Sequence, residues 1–190
     1  MGFEIDEYIV GKLFRHLKKS KKIHPEITAR TVTLNDIKPR LTILARALTG
    51  KPIEIFPAER EGGYKNNNFF LPISFSKLPT KKDNLTFYLF RILYLSVQQR
   101  LNLNWTLEEK DQPLALSQQK AFETSEEILT ILFEEFSIDK KFHTETKLYF
   151  IQKENGKNAP DFSWLYGKWM QNEIEKNSNT ILENFSDKTK

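Results

Sequence analysis

Few side chains in this sequence have the chemistry for catalysis or metal binding, and their spacing is wrong for either role. The three histidines, His16, His24 and His143, lie in unrelated segments without the spacing of metal ligands. The chain has no cysteine, which excludes disulfides, thiolate nucleophiles and cysteine-based metal sites. We therefore interpret each histidine as a surface or capping residue and predict no metal site.

Acidic side chains occur as adjacent pairs at 108–109, 126–127 and 134–135. Neighbouring residues of a helix point about 100° apart, so such pairs do not converge on one substrate atom. The sequence also lacks the glycine-rich phosphate loop, the serine-hydrolase elbow and the zinc-protease helix motif. These absences predict no catalytic residue and no cofactor, and the protein is interpreted as not being an enzyme.

The apolar periodicity predicts the elements that would position any site. It indicates an α+β fold that is predominantly helical, with about five helices and a short two-stranded β element. The predicted helices cover residues 5–18, 36–49, 84–101, 124 to beyond 139, and 161–175. We expect one helix-rich domain over residues 1–176 and a polar C-terminal tail over 177–190.

Local signals set several boundaries. Asp36 as the N-cap would place Pro39 in the first helical turn, where proline is tolerated, and Gly50 is a typical C-terminal cap. Thr124 and Glu127 have the spacing of a capping box. Residues 53–56 and 69–75 are predicted to be strands of a hairpin with a long polar tip, or two edge strands.

The most apolar segment, residues 85–97, has ten apolar or aromatic side chains among 13 residues and contains Arg91. A helix that is apolar on every side is buried on every side, so we predict that it forms the centre of the domain. It is too short to cross a bilayer. The acidic N-terminus does not resemble a secretion signal, so we expect a cytoplasmic protein without membrane insertion.

The formal net charge is +4, and much of the excess lies in the basic stretch Lys18–Lys22. Nucleic-acid binding would be expected to use a longer basic stripe with aromatic side chains for stacking. We therefore interpret the stretch as the solvated end of a helix. Weak nucleic-acid binding through Lys18–Lys22 remains an alternative, and it predicts an affinity that falls steeply with salt.

Residues 32–75 resemble the N-terminal region of the nitric oxide reductase activation protein family (NorD) and its rubisco-activation relatives (CbbO). The resemblance follows a Leu-Thr-Gly-Lys-Pro turn at 48–52, a Pro-Ala-Glu corner at 57–59, the double glycine at 62–63 and Phe-Phe-Leu-Pro at 69–72. Residues 88–104 and 131–139 extend it. The resemblance implies an accessory protein that works with a MoxR-type AAA+ ATPase to activate a target metalloenzyme or insert its metal.

The resemblance also implies a degenerate zincin-like scaffold. Ser96 and Arg100 stand where relatives carry histidines spaced four apart, while Glu134 and Glu135 keep an acidic pair. Neither serine nor arginine is a plausible zinc ligand. The von Willebrand factor A domain of the family binds a divalent ion through Asp-x-Ser-x-Ser, and this sequence lacks that motif. A divergent metallopeptidase-like enzyme is the alternative, and it predicts bound metal.

The polar loop between the two predicted strands is the candidate contact surface for the partner. Glu59, Arg60, Glu61 and Tyr64 combine both charges with an aromatic ring. Loops on rigid scaffolds often carry function. We predict that these four residues contact the ATPase, against the alternative of an ordinary solvent loop.

Overall fold

A computed structural model describes residues 24–106, 112–153 and 160–172, without the side chains of 137–139. These ranges contain seven helices and five strands, which confirms a predominantly helical α+β fold. The predicted helix 5–18, the basic stretch Lys18–Lys22 and the predicted tail 177–190 lie outside them. The elements are α1 (Pro25–Arg30), β1 (Val32–Thr33), α2 (Leu34–Thr49), β2 (Glu54–Ala58), β3 (Gly63–Lys65), β4 (Asn68–Pro72), β5 (Ser74–Phe75), α3 (Lys81–Arg100), α4 (Leu114–Glu123), α5 (Ser125–Glu135), α6 (Ser137–Lys153) and α7 (Ser163–Tyr166).

Helix α3 passes through the centre of the domain, as the sequence predicted. Eleven of its residues are buried, including Phe87, Phe90 and Arg91. It starts three residues before the predicted position because Thr80, and not Asp83, is the N-cap. The Thr80 hydroxyl accepts the backbone N–H of Asp83 at 3.1 Å. None of the described helices is long and apolar enough to cross a membrane.

Helix α2 begins at Leu34, two residues before the predicted cap at Asp36. The Thr33 hydroxyl donates to the Asp36 carboxylate at 2.5 Å, and Thr33 is the N-cap. Pro39 therefore lies in the second turn, where its missing N–H leaves one helical hydrogen bond unmade. The C-terminus is as predicted, since Gly50 adopts the left-handed conformation with a φ of 64°.

The main sheet has the order β2-β4-β3, so the predicted hairpin between 53–56 and 69–75 is wrong. Strands β2 and β4 are parallel, and the chain crosses β4 to form β3 before it returns. The true hairpin joins β3 and β4 through a turn in which Asn66 has a φ of 51°. The second predicted strand is divided, because β5 leaves this sheet and pairs with β1.

The free edge of the sheet is β2, and two features protect it. The Glu54 N–H and the Ala58 carbonyl bond toward β4, so the backbone of Ile55 and Pro57 faces outward. Proline cannot donate a ladder hydrogen bond. The neighbouring Ile53 carbonyl accepts from Nε of Arg46 at 2.9 Å. Addition of a partner strand to this edge is therefore disfavoured.

The second half of the chain departs from the predicted helices in two places. The Thr124 hydroxyl donates to the Lys120 carbonyl at 2.8 Å and makes no N-cap bond, so the capping box is wrong. Helix α5 ends at Glu135, because Phe136 leaves the helical region with a ψ of 84°. A separate helix, α6, then continues the chain to Lys153.

The predicted helix 161–175 is also wrong over its described residues, 161–172, of which only α7 is helical. Gly167 ends α7 with a φ of 80°. The segment 168–172 then runs beside two loops. Lys168 donates its N–H to the Gly62 carbonyl at 2.9 Å, and the Met170 carbonyl accepts from the Trp105 N–H at 3.1 Å. Trp164 and Leu165 are buried, while Trp169 is half-buried.

Candidate functional site

The predicted contact loop forms one wall of a cleft of about 290 Å³, which we call the loop cleft. The β2–β3 loop, the β4–β5 region and α7 surround it. Its lining residues are Glu59, Arg60, Glu61, Pro72, Ser74, Phe75, Lys77 and Trp164. Three of the four predicted contact residues therefore belong to one concave surface. Glu59 and Arg60 are exposed, and Glu61 is half-buried.

Tyr64 does not share this surface. It lies on β3 with only 2% of its area exposed, and it is not part of the cleft lining. Burial raises the pKa of the Tyr64 phenol to about 12. The sequence placed Tyr64 in the loop because the short strand Gly63–Lys65 has no alternating pattern of its own. Tyr64 is a core residue, and it is unavailable for a first contact with a partner.

Lys77 and Trp164 form the floor of the loop cleft. The Lys77 ammonium lies 5.2 Å from the centre of the Trp164 ring, within the range of a cation–π interaction. Burial lowers the pKa of Lys77, while the charges of Asp161 and Glu61 act in the opposite direction. The cleft therefore offers a cation over an aromatic surface with acidic groups on its rim. No local pattern in the sequence indicates this pairing, since the two residues are far apart in the chain.

A buried arginine supports the loop cleft from behind. Arg91 is fully buried, and its Nη1 donates to the Leu165 carbonyl at 3.0 Å. Among the described residues, its Nε and Nη2 have no hydrogen-bond partner, and neither has Oε2 of Glu61. Burial lowers the pKa of Arg91 to about 10, whereas the charges of Tyr94 and Glu61 act in the opposite direction. Arg91 and Glu61 thus interact through space without a direct hydrogen bond.

Two glycines allow this close packing. A Cβ on Gly62 would lie 2.0 Å from the Phe70 carbonyl oxygen. A Cβ on Gly167 would lie 2.3 Å from Nη2 of Arg91 and 2.7 Å from the Gly62 carbonyl oxygen. Both glycines have a positive φ, which other residues rarely adopt. A Cβ on Gly63 would lie 2.4 Å from the Lys168 carbonyl oxygen, so the second glycine of the motif allows the contact with the C-terminal segment.

A second and larger cleft, of about 460 Å³, was not predicted from the sequence; we call it the aromatic cleft. It lies between α4, α5, α6 and α7, and much of its lining is aromatic. Its lining residues are Phe122, Glu123, Ser125, Glu126, Leu129, Thr130, Phe133, His143, Lys147 and Tyr166. These residues come from four elements, so no local pattern in the sequence could reveal them.

His143 is the main polar group of the aromatic cleft. Its Nε2 lies 3.0 Å from the hydroxyl of Tyr166, and only 8% of the residue is exposed. Burial lowers the pKa of His143 to about 4, with a smaller contribution from Lys147, so the ring is neutral at pH 7. The interpretation of His143 as a surface or capping residue is therefore wrong. The same interpretation is confirmed for His24, which is exposed at the N-cap of α1.

Three of the four positions tied to the zincin-like scaffold, Ser96, Arg100 and Glu135, line a third cleft of about 250 Å³, whereas Glu134 is exposed outside it. The Ser96 hydroxyl donates to the Ile92 carbonyl at 2.8 Å. Arg100 forms two hydrogen bonds with Glu135, of 2.6 and 3.3 Å. Arg100 and Glu135 thus form an ion pair in this cleft. In the part of the chain that the structure describes, no group of three or more histidine, aspartate or glutamate side chains could hold a metal ion.

The described chain is a helix-rich α+β module that carries a charged loop cleft and an aromatic cleft. Comparisons with protein-family models, with curated proteins and with solved structures gave no match. The resemblance to the nitric oxide reductase activation family therefore stays a prediction from sequence motifs.

Proposed function

We propose that this protein is a non-catalytic adaptor and that the loop cleft is its docking site. One observation carries the proposal. The cleft gathers both signs of charge and a tryptophan on one concave surface, which Arg91 and two glycines hold against the core. A rigid surface of this kind loses little conformational freedom when a partner binds.

The residues of the loop cleft indicate how a partner would be recognised. Arg60 and Glu59 are exposed, so complementary charges on the partner can steer the encounter. Trp164 is buried at the back of the cleft, so it supports the lining from the core and leaves the contact itself to the exposed charged residues. The protected edge of β2 makes strand addition a poor alternative mode of binding.

The identity of the partner rests on the sequence resemblance. On that basis we propose a MoxR-type AAA+ ATPase as the partner and a cytoplasmic role in the activation or metal-cofactor maturation of a target metalloenzyme, similar to nitric oxide reductase. The adaptor would bring the ATPase to that enzyme. Two motifs of the resemblance, the Pro-Ala-Glu corner at 57–59 and the double glycine at 62–63, lie on either side of the cleft residues Arg60 and Glu61.

A pull-down with the full chain and a purified MoxR-type ATPase tests this proposal. We expect Arg60→Glu and Lys77→Glu each to reduce recovery of the ATPase at least tenfold. Arg40→Glu is the matched control. Arg40 is exposed on α2 outside the cleft, and its substitution changes the charge by the same amount. Equal recovery with all three variants would remove the loop cleft as the docking site. Failure of the wild-type chain to bind would instead exclude this class of ATPase.

The metallopeptidase alternative has its own measurement. Elemental analysis of protein purified without chelator would detect a bound metal ion. We expect none at stoichiometric amounts. A stoichiometric metal would favour the enzyme alternative over the adaptor.

A further inference from the structure

A strip of apolar side chains on the outer face of α3 is left uncovered by the described residues. Leu85 and Leu89 are 39% and 38% exposed, and Leu93 follows them in the lining of the third cleft. The three leucines recur at every fourth position, so they lie on one face of the helix. We call them the α3 strip. We propose that the N-terminal segment 5–18 docks on the α3 strip as an amphipathic helix.

The exposure of the α3 strip departs from the rest of the helix. Eleven residues of α3 are buried, and a helix apolar on every side is expected to be covered on every side. Helices α2 and α5 both pack against α3. Their ends supply Leu48 and Phe136 to the third cleft, on either side of Leu93. The α3 strip therefore lies between two helices, where a further apolar element would complete the cover.

Helix α1 shows at which end of the strip the N-terminal segment joins the domain. The Asn84 side-chain amide donates to the Arg30 carbonyl at 2.9 Å, which holds α1 beside the first turn of α3. No residue of α1 is buried, and Ile27 is 36% exposed. So short a helix is not stable by itself, and the described core covers none of its side chains. Residues 1–23 lead directly into α1, and therefore into the end of the strip at Leu85.

The sequence of segment 5–18 suits this surface in pattern and in length. Its apolar side chains recur at every fourth position, which predicts an amphipathic helix that needs an apolar surface. That stripe consists of Ile5, Ile9, Leu13 and Leu17, with Val10 and Phe14 beside it. A helix of this length spans about 21 Å, and α3 between residues 85 and 96 spans about 17 Å. Residues 19–23 can bridge up to about 17 Å, which is enough to connect this helix to α1.

The point of connection sets the direction of the docked helix. A segment that joins the domain at the first turn of α3 must run antiparallel to α3 to cover the strip, so its N-terminal end reaches the third cleft. Residues 4–7 at that end are acidic at three of four positions. In the cleft, Arg100 and Glu135 pair with each other, and Lys51 is exposed. The charge of Lys51 is thus opposite to that of the approaching segment.

The other end of the strip carries charge of the same sign as the connection. Lys81 and Lys82 are exposed in the first turn of α3, and the basic stretch Lys18–Lys22 follows the apolar stripe of the segment. Like charges repel, so we expect the connection to turn away from α3 into solvent. The docking therefore depends on the apolar stripe and on the acidic end, and not on the basic stretch.

Engineered disulfides test the proposal in the full chain, which has no cysteine of its own. The antiparallel arrangement places Leu13 near Leu89. We expect Leu13→Cys with Leu89→Cys to form an intramolecular disulfide at least about tenfold faster than Leu13→Cys with Ile43→Cys. Ile43 is 70% exposed on α2, on the face opposite the buried Leu41 and Ala45. Equal rates would overturn the proposal. Disulfide-linked dimers in place of the intramolecular bond would assign the strip to a second copy of the chain and would also overturn it.

Hydrogen exchange measures the docking without cysteines. Leu89→Asp places a charge in the middle of the strip, so the backbone amides of 5–18 should exchange at least about tenfold faster than in the wild-type chain. Ile43→Asp introduces the same charge outside the strip and should leave their exchange unchanged. Slow exchange of α3 amides in both variants shows that the domain is folded. Equal exchange of 5–18 in the wild type and in folded Leu89→Asp would refute the proposal, and the disulfide rates decide where Leu89→Asp fails to fold.

A charge reversal tests the direction of the docked helix. Lys51→Glu should accelerate exchange of 5–18 by about two- to fivefold, the value of an exposed ion pair. Glu7→Lys in the same chain should restore the slow rate. Lys82→Glu is the control at the other end of the strip, and it should not accelerate exchange. Acceleration by Lys82→Glu and not by Lys51→Glu would reverse the direction and contradict the antiparallel docking.

Discussion

The loop cleft and the aromatic cleft differ in the charge of the buried polar group beside them, which is Arg91 in the first and His143 in the second. Behind the loop cleft, Arg91 remains a cation in the core, with the carboxylate of Glu61 near it. The backbone at Gly167 packs closely against Arg91 and Gly62. In the aromatic cleft, His143 loses its charge and is surrounded by rings. Arg91 keeps its charge in the core at a desolvation cost, whereas neutral His143 has no such cost.

This difference has a functional consequence. A charged and rigid cleft suits the recognition of a partner surface by complementary charge. In the aromatic cleft the buried group itself is neutral, and the charged residues of the lining are Glu123, Glu126 and Lys147. The two regions should therefore respond differently to substitution and to pH, and each of the following experiments tests that contrast.

The largest effect is expected at Arg91. Arg91→Ala should reduce the free energy of unfolding by about 3–5 kcal/mol, because Glu61 would keep a half-buried charge without its cation. Urea denaturation followed by circular dichroism measures the change. The double variant Arg91→Met with Glu61→Gln removes both charges and should recover most of the loss. A double variant no more stable than Arg91→Ala would show that the contact of Arg91 with Leu165, and not the charge pair, stabilises the cleft.

The glycine that ends α7 is expected to be nearly as sensitive. Gly167→Ala should cost about 2–3 kcal/mol, because its Cβ would overlap Arg91 and its φ of 80° is strained for alanine. Gly50→Ala is the comparison, since its φ is also positive but nothing lies within 4 Å of the added Cβ. The ψ of Gly167, −143° against 14° for Gly50, adds backbone strain to the overlap. Gly50→Ala should cost about 1 kcal/mol. Equal losses in thermal denaturation would mean that backbone strain alone, without overlap, explains both.

The neutral state of His143 in the aromatic cleft should appear in the pH dependence of the free energy of unfolding. The pKa of His143 is about 4 in the folded chain, below the ordinary value of about 6.5 in the unfolded chain. The unfolded state therefore binds more protons between these values, and stability falls as the pH falls from about 6.5 to 4. We expect a loss of about 1–2 kcal/mol, allowing for partial exposure. His143→Phe should lack this component, whereas an unchanged slope would contradict the buried neutral state.

The smallest effect is expected at Lys77, which lines the loop cleft. Lys77→Met should change the free energy of unfolding by less than about 1 kcal/mol, because the side chain is exposed and its cation–π contact is weak. Chemical denaturation of Lys77→Met beside Lys51→Met, an exposed lysine, provides the comparison. A loss as large as that of Arg91→Ala would make Lys77 part of the core and not of a docking surface.

Local sequence signals predicted those parts of the fold that depend on neighbouring residues. The helical class, the buried position of α3 and the left-handed cap at Gly50 follow from periodicity and from backbone preferences. Helix boundaries were less well predicted. Thr33 and Thr80 compete with the nearby aspartates Asp36 and Asp83 as caps, and the distinction depends on the geometry of each turn.

Local sequence signals also predicted part of the candidate site. The charged loop at Glu59–Glu61 could be found from its composition, because exposed loops are rich in polar residues. Tyr64 could not be assigned correctly, since its burial depends on the strand pairing of β3 with β4. Lys77 and Trp164 meet only through the fold.

The sequence by itself determined that this chain forms a predominantly helical α+β domain around one apolar helix, because those properties arise from residues a few positions apart. Only the tertiary structure decided the parallel pairing of β2 and β4, the extended course of 168–172 and the meeting of His143 with Tyr166. These features depend on contacts between distant segments. Their free energy comes from packing and burial across the whole domain, which local propensity does not encode.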